Sequence, residues 1–297
     1  LLYIPTKQPF DLFHPDRKNK IKLYVQKIFI SDDCENIIPN WLRFVPGIID
    51  SQDISLNISR EMLQNNPVIN KIKKGISIKI LNELIDFSEK EPEKYNDFWN
   101  NFGPVIKEGL YEQNEYHENI LKLIRFKTSL DDNWTSLEQY LKNMKKDQKD
   151  IYYFSNIDKE NKNIMDSPQL ELFIEEKIPV LFMTDAVDDF WLQNVSNYKE
   201  KNFKSITKGE IDVKGSKEKN IKKSNENNKE INDLINLLKN ELKDEIKDVR
   251  ISKRLTKSPL ILIADESEID INMEKIMKMQ NKSMEESKKI LEINPNH

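Results

Sequence analysis

The chain has little that could be cross-linked, metallated or folded around a phosphate. Its 297 residues include one cysteine, Cys34, which excludes an internal disulfide and fits a reducing, cytoplasmic setting. The three histidines, His14, His117 and His297, are scattered and none pairs with the cysteine, which argues against a zinc site. Six glycines form neither a G-x-G-x-x-G turn nor a P-loop. Positive charge is not in excess: the net charge is -4 and lysines interleave with acids, so no basic face for nucleic acid is forced. No apolar run approaches the length of a membrane-spanning helix. The opening L-L-Y-I-P lacks the basic region of a secretory signal. An initiator Met is also missing, as in a fragment.

What is present is a 37% hydrophobic and 33% charged chain, long enough for two domains with a charged surface. Alternating apolar residues predict a strand over 21–30, after a strand-like run at 1–5. A short helix is predicted over 37–44 and a strand over 45–50. Pro67, with Asn65 or Asn66 as cap, opens a long helix whose apolar positions run from Ile69 to Phe87. The next helix starts near Pro92, carries Tyr95, Phe98, Trp99 and Phe102 on one face, and has Gly103 as its C-cap. Two shorter helices follow at 120–126 and 137–144, the second with a Thr135–Glu138 capping box. Strands at 151–154 and 180–184 alternate with helices from Pro168, capped by Ser167, and at 188–195, which is an α/β pattern. Composition then shifts near Thr207. Residues 207–230 read as a flexible charged linker between 1–206 and 231–297. The last part holds helices at 231–246 and 273–279 and strands at 249–255, 260–264 and 290–293.

The stretch 53–64, D-I-S-L-N-I-S-R-E-M-L-Q, is the one that breaks a local rule. Asn57 and Ser59 are good N-caps, so a helix starts near Ser59 or Arg60. Glu61 suits the positive end of that helix, whereas Arg60 opposes its dipole. On a helix Arg60 and Gln64 share a face, and beside a helix N-terminus they would suit an anion such as a phosphate. Taken alone, the stretch reads more plainly as a solvated Arg at a helix start.

Other candidates are weaker. Cys34 sits among acids that keep its thiol protonated. The pairs Asp32–Asp33 and Asp131–Asp132 read as solvated turns, and the aromatic stripe of the second long helix reads as core. Met273, Ile276 and Met277 form a Met-rich face that is core if covered and an adaptable contact surface if exposed.

Longer motifs carry a resemblance. P-F-D-L-F at 9–13, K-L-Y-V-Q-K-I-F-I at 22–30, I-I-P-N-W-L-R-F-V at 37–45 and L-N-I-S-R-E-M-L-Q at 56–64 resemble the middle domain of the ninety-kilodalton heat-shock chaperone family. F-W-N-N-F-G at 98–103, S-P-Q-L-E at 167–171, V-L-F-M-T-D at 180–185, K-R-L-T-K-S-P at 253–259 and I-L-E-I-N-P at 290–295 continue it in order. D-L-F-H-P-D-R at 11–17 and the short linker are most similar to the bacterial branch.

The resemblance implies an α/β middle domain, with αβα layers joined by a run of short helices, followed by a partial α+β C-terminal domain. It implies that Arg60 reaches the γ-phosphate of ATP held by an N-terminal domain, with Gln64 and Asn57 on the same loop and Phe29 packing that loop against the nucleotide domain. ATP and Mg would be cofactors of the complete protein only. Partners would be unfolded clients and, in the complete protein, a second copy; the candidates for meeting clients, from the Met-rich face and a middle-domain aromatic rather than from the resemblance, are Trp41, Met273, Ile276 and Met277. Nucleic acid and membrane are not implied. Pro46 stands where the family usually has Lys or Arg, and Ser55 where it usually has Pro. A client-binding module without nucleotide chemistry is the alternative. An enzyme with a site of its own ranks last.

Overall fold

In a computed structural model of the chain, the apolar alternation at 21–30 is two strands rather than one. β1 (Ile21–Val25) and β2 (Ile28–Ser31) form an antiparallel hairpin closed by Gln26 and Lys27, with φ of 50° and 66°. Neither is the Gly or Asn that normally marks such a turn, so the sequence carries no signal for it. The turn is fixed from outside. Gln26 donates its N–H to the Ser51 carbonyl (3.1 Å), and Lys27 donates its N–H to Asp50 Oδ1 (3.1 Å).

The structure describes residues 1–15, 17, 19–32, 34, 37–54, 66–112, 115–156, 164–211, 228–280 and 286–297. Their contacts divide the chain into two compact units, Leu1–Arg125 and Phe126–His297.

In the first unit β3 (Gly47–Ser51) runs parallel to β1, giving the order β2-β1-β3. The run at 1–5 contributes only a single bridge between Leu2 and Gly47. The helix predicted at 37–44 is one 3₁₀ turn, Asn40–Leu42, because Pro39 holds the chain before it extended. α1 (Pro67–Lys90) starts as predicted, with Asn66 Oδ1 accepting from the Val68 N–H (2.8 Å). α2 (Pro92–Tyr111) does not stop at Gly103 but continues through it and Pro104. Gly103 is there for packing: a Cβ would lie 2.7 Å from Trp99 Cε2. Gly109 is similar, since its Cβ would lie 2.8 Å from Trp41 Cδ2 and 2.7 Å from Ile120 Cδ1. The predicted aromatic stripe is core, with Phe44 stacked on Phe102 at 4.7 Å and Tyr95 tilted against Phe98 at 5.5 Å. α3 (His117–Leu123) ends early because Arg125 Nη1 takes the carbonyls of Lys122, Leu123 and Ile124 at 2.9–3.0 Å.

β4 (Arg125–Thr128) begins at the last residue of the first unit. With β5 (Thr135–Ser136), β6 (Ile151–Ser155), β7 (Leu181–Met183), β8 (Asn197–Tyr198) and β9 (Lys201–Ser205) it forms a sheet of order β5-β4-β7-β6-β9-β8. β6 is parallel to both β7 and β9, while β4 and β8 are antiparallel additions. α4 (Leu137–Asn143) has its capping box at Ser136 and Gln139, one residue later than predicted. A 3₁₀ turn at Pro168–Leu170 leads into α5 (Glu171–Glu175), and Ser167 makes no side-chain cap there. α6 (Ala186–Trp191) is capped by Asp185 and Asp188. Ile206, Thr207 and Ile211 are buried, so packing continues past the shift in composition at Thr207.

α7 (Asn228–Glu241) is shorter than predicted, because Ile246 already starts β10 (Ile246–Ile251). β11 (Leu260–Ile263) and β12 (Lys289–Ile293), with α8 (Ile271–Gln280) between them in the chain, follow, and the strands form a three-stranded sheet of order β10-β12-β11. Ile231, Ile235 and Leu238 of α7 pack on Val249, Leu291 and Ile293 of that sheet. The result is mixed α and β, with helices and three sheets among the described residues.

Candidate functional site

Asn57, Arg60 and Gln64 lie outside the described residues, as do Ser55 and the predicted helix start. What is described is the mount on either side. β3 delivers the chain to Ile54, which is 2% exposed, and the Asp53 N–H donates to Ser51 Oγ (3.3 Å). On the far side Asn66 caps the rigid α1. Both ends of the stretch are therefore anchored in the first unit.

Phe29 sits on the edge strand β2, half-exposed and edge-on to Tyr24 at 5.6 Å. The hydrogen bonds of Gln26 and Lys27 to Ser51 and Asp50 tie its hairpin to the strand that enters 55–65. An exposed aromatic is thus held beside the end of β3. Gly47, next to Pro46, is required because a Cβ there would clash with the Leu1 carbonyl oxygen.

The side chains predicted to meet clients are dispersed. Trp41 is 1% exposed, closed in by Gly109 and by Tyr116 at 5.7 Å, so it belongs to the core rather than to a surface. Ile276 is buried as well. Met273 and Met277 are half-buried on the wall of a cavity of about 420 Å³, shared with Tyr153, Asp189 and Asp270. Met279 stands clear in solvent.

Asp189 and Asp270 also belong to polar joints that pattern reading misses. Asp189 Oδ2 accepts from Ser155 Oγ (2.8 Å) and Asn272 Nδ2 (2.5 Å), linking β6, α6 and α8. Burial pushes the Asp189 carboxyl up to about 6, against the pull of those two donors. Asp270 Oδ2 accepts from the hydroxyls of Ser205 (2.5 Å) and Thr207 (2.8 Å). Arg254, 1% exposed, donates from Nη1 to the Ile206 carbonyl, and from Nη2 to the Gly209 carbonyl (2.6 Å) and Glu292 (3.3 Å). Glu292 also receives Arg250 Nη2 (2.9 Å) and Ser252 Oγ (2.9 Å). Glu171 accepts the N–H groups of Thr256 (2.8 Å), Lys257 (2.7 Å) and Ser258 (3.0 Å). Burial alone would raise its carboxyl, but the Ser258 hydroxyl and these amides outweigh it and hold it below the usual carboxylate range. The partners lie far apart in sequence, so no spacing rule could pair them. Among the described residues no helix is long and apolar enough to cross a membrane.

The profile of the Hsp90 protein family matches residues 1–297. Chaperone protein HtpG of Paramagnetospirillum magneticum is 45% identical over 301 residues, covering all of this chain and 48% of the relative. That of Roseobacter denitrificans is 44% identical with the same coverage. That of Orientia tsutsugamushi is 42% identical over 308 residues, covering 49% of the relative. The chain spans about half the length of the curated relatives it matches.

Proposed function

This chain belongs to the Hsp90 family, and from that premise we propose that it carries working parts of an ATP-dependent molecular chaperone that binds non-native client proteins. The observation that carries the proposal is the match from end to end, with R-E at 60–61 inside it. In this reading residues 1–206 are a partial middle domain with αβα layers, 207–230 a charged linker and 231–297 a partial C-terminal domain. The protein works as a homodimer in the cytoplasm.

Arg60 is the residue we assign to the γ-phosphate of ATP, with Gln64 and Asn57 as polar neighbours. ATP, with Mg, supplies the phosphoryl group and is held by a different domain. The conflict between Arg60 and the helix dipole then has a cause, because the missing partner is an anion from elsewhere. Anchorage at Ile54 and Asn66 would let closure of the domains present the guanidinium in one orientation. A fixed guanidinium stabilises charge as it develops on the transferred group, and its planar fork suits phosphate oxygens better than an ammonium does. Phe29 offers an apolar contact beside the end of β3. Pro46 removes a charge and a backbone donor beside this sheet, and Ser55 loosens entry to the stretch, while both leave Arg60 in place.

The test is Arg60→Ala in a full-length version. Ground-state binding owes little to a residue on another domain, so nucleotide affinity should stay near the parent value. Turnover should fall about 100- to 1,000-fold, as when one preorganised donor is removed from a charged transition state. Arg60→Lys should recover little of it. If Arg60→Ala hydrolyses ATP at the parent rate, the phosphoryl role is wrong. A client-binding module without nucleotide chemistry, supported by the exposed Leu234, Leu237, Leu260, Leu262 and Met279, would then be the better reading.

A further inference from the structure

The second unit contains two sheets joined by side chains far apart in the sequence: Asp270 to Ser205 and Thr207, Asn272 to Ser155 and Asp189, Arg254 to the carbonyls of Ile206 and Gly209, and Glu171 to 256–258. Segment 205–209 reaches the three-stranded sheet as the direct continuation of β9: the Ala264 N–H donates to the Thr207 carbonyl and the Gly209 N–H to the Ala264 carbonyl, both at 2.9 Å. Glu171 is different. It opens α5 and crosses 85 to 87 residues of sequence to the turn between β10 and β11. There one carboxylate engages three consecutive amides and the Ser258 hydroxyl. The Leu172 N–H adds a bond to the Arg254 carbonyl (3.3 Å).

The turn it grips is itself stiff. Ser252 Oγ accepts the N–H groups of Arg254 (3.2 Å) and Leu255 (3.1 Å). Asn294, just past β12, donates its Nδ2 to the Ser258 carbonyl (3.0 Å) and its N–H to the Pro259 carbonyl (2.8 Å). A pull on Glu171 therefore reaches β12 instead of being absorbed by a soft loop. The grip is also open to solvent. A cavity of about 410 Å³ lies beside it, lined by Asp166, Ser167, Glu171, Glu175, Thr256 and Lys257 among others. Acids and a lysine line it alike, while the amides and hydroxyl hold the carboxylate. A cluster of charge-assisted bonds on one carboxylate with access to water is one that can be released as a unit.

We propose that Glu171 is a latch: its carboxylate, seated on the amides and hydroxyl of 256–258, fastens the turn between β10 and β11 to α5, and its withdrawal lets that end of the three-stranded sheet swing away while the joints at Asp270, Asn272 and Arg254 stay closed. The latch owes nothing to the assignment of Arg60, and its test needs no nucleotide.

The experiment is amide hydrogen exchange on the 297-residue chain and its Glu171→Gln variant, with a spin-label distance between Lys177→Cys and Asn296→Cys, one exposed position near each sheet. Exchange at Thr256, Lys257 and Ser258 should rise about tenfold or more, the scale of one lost charge-assisted hydrogen bond. Amides of β6 and β12 should keep their protection, and the distance distribution should broaden. Glu171→Asp should fall between the two. Ser258→Ala, which removes only the hydroxyl, should move exchange in the same direction by less, and it serves if Glu171→Gln does not fold. Unchanged exchange in these variants would overturn the latch. So would freer amides with an unmoved distance, since Glu171 would then be a local cap.

Discussion

Among the described residues that are buried yet polar or charged, five lie in the first unit and fifteen in the second. The first unit is closed by aromatic rings set over glycines: Phe44 on Phe102, Trp99 over Gly103 and Trp41 over Gly109. The second is joined by directional contacts: Arg254 to Glu292, Glu171 to 256–258, and Asp189 to Ser155 and Asn272. Apolar packing of this kind has one close-packed arrangement and resists deformation. Hydrogen-bonded joints exchange with water at modest net cost and tolerate alternative states. The difference suits a rigid mount for Arg60 in one unit and a jointed frame in the other.

The comparison breaks most sharply at Arg254. Arg254→Ala would leave Glu292 buried with one cation fewer, and the carbonyls of Ile206 and Gly209 without their donor. The account predicts a loss of about 3 kcal/mol or more, the cost of breaking a buried ion pair from one side. Denaturant unfolding followed by a probe in the second unit would measure it, and a change within 0.5 kcal/mol or so, as at an ordinary surface site, would show the joint to be ornamental.

The first unit should be broken by volume instead. Gly109→Ala drives a methyl into Trp41 and Ile120, and should cost about 1–3 kcal/mol through overpacking. The same unfolding experiment checks it. A neutral result would mean that this core is looser than its rings suggest.

Asp189 sharpens the contrast through pH. An Asp has an ordinary value of 3.8, and burial lifts this one to about 6. The folded state therefore holds a proton that the unfolded state has released, so this group adds stability below pH 4 and loses it as pH rises through 6. Asp188 and Asp270 add to the same rise. Asp189→Asn should flatten the dependence of stability on pH across that window. An unchanged slope would place the titrating group elsewhere.

Much of the first unit was legible because its signals are local. The Asn66–Pro67 start of α1 and the aromatic period of α2 each need only a few adjacent residues. The failures share a cause as well. Gly103 looks like a stop because a glycine's backbone freedom is visible in sequence and its missing Cβ under an indole is not. The hairpin at Gln26–Lys27 escapes pattern reading because hydrogen bonds donated to Ser51 and Asp50 impose a turn that neither residue favours. β8, of two residues, is too short to show a period. The joints of the second unit connect residues as far apart as Ser155 and Asn272, beyond the reach of any spacing rule. For Arg60, the misfit with the dipole of the helix expected there is visible locally, but the partner proposed for it comes from the resemblance alone.

The central claim is that Arg60 belongs to a site completed by nucleotide held on another domain. It is tested most directly by titrating the 297-residue chain with Mg-ATP in a calorimeter. The account predicts no saturable heat, because Arg60, Gln64 and Asn57 offer nothing to grip the base or the ribose. Saturable binding in the micromolar range would contradict it, since the chain would then hold a nucleotide site of its own.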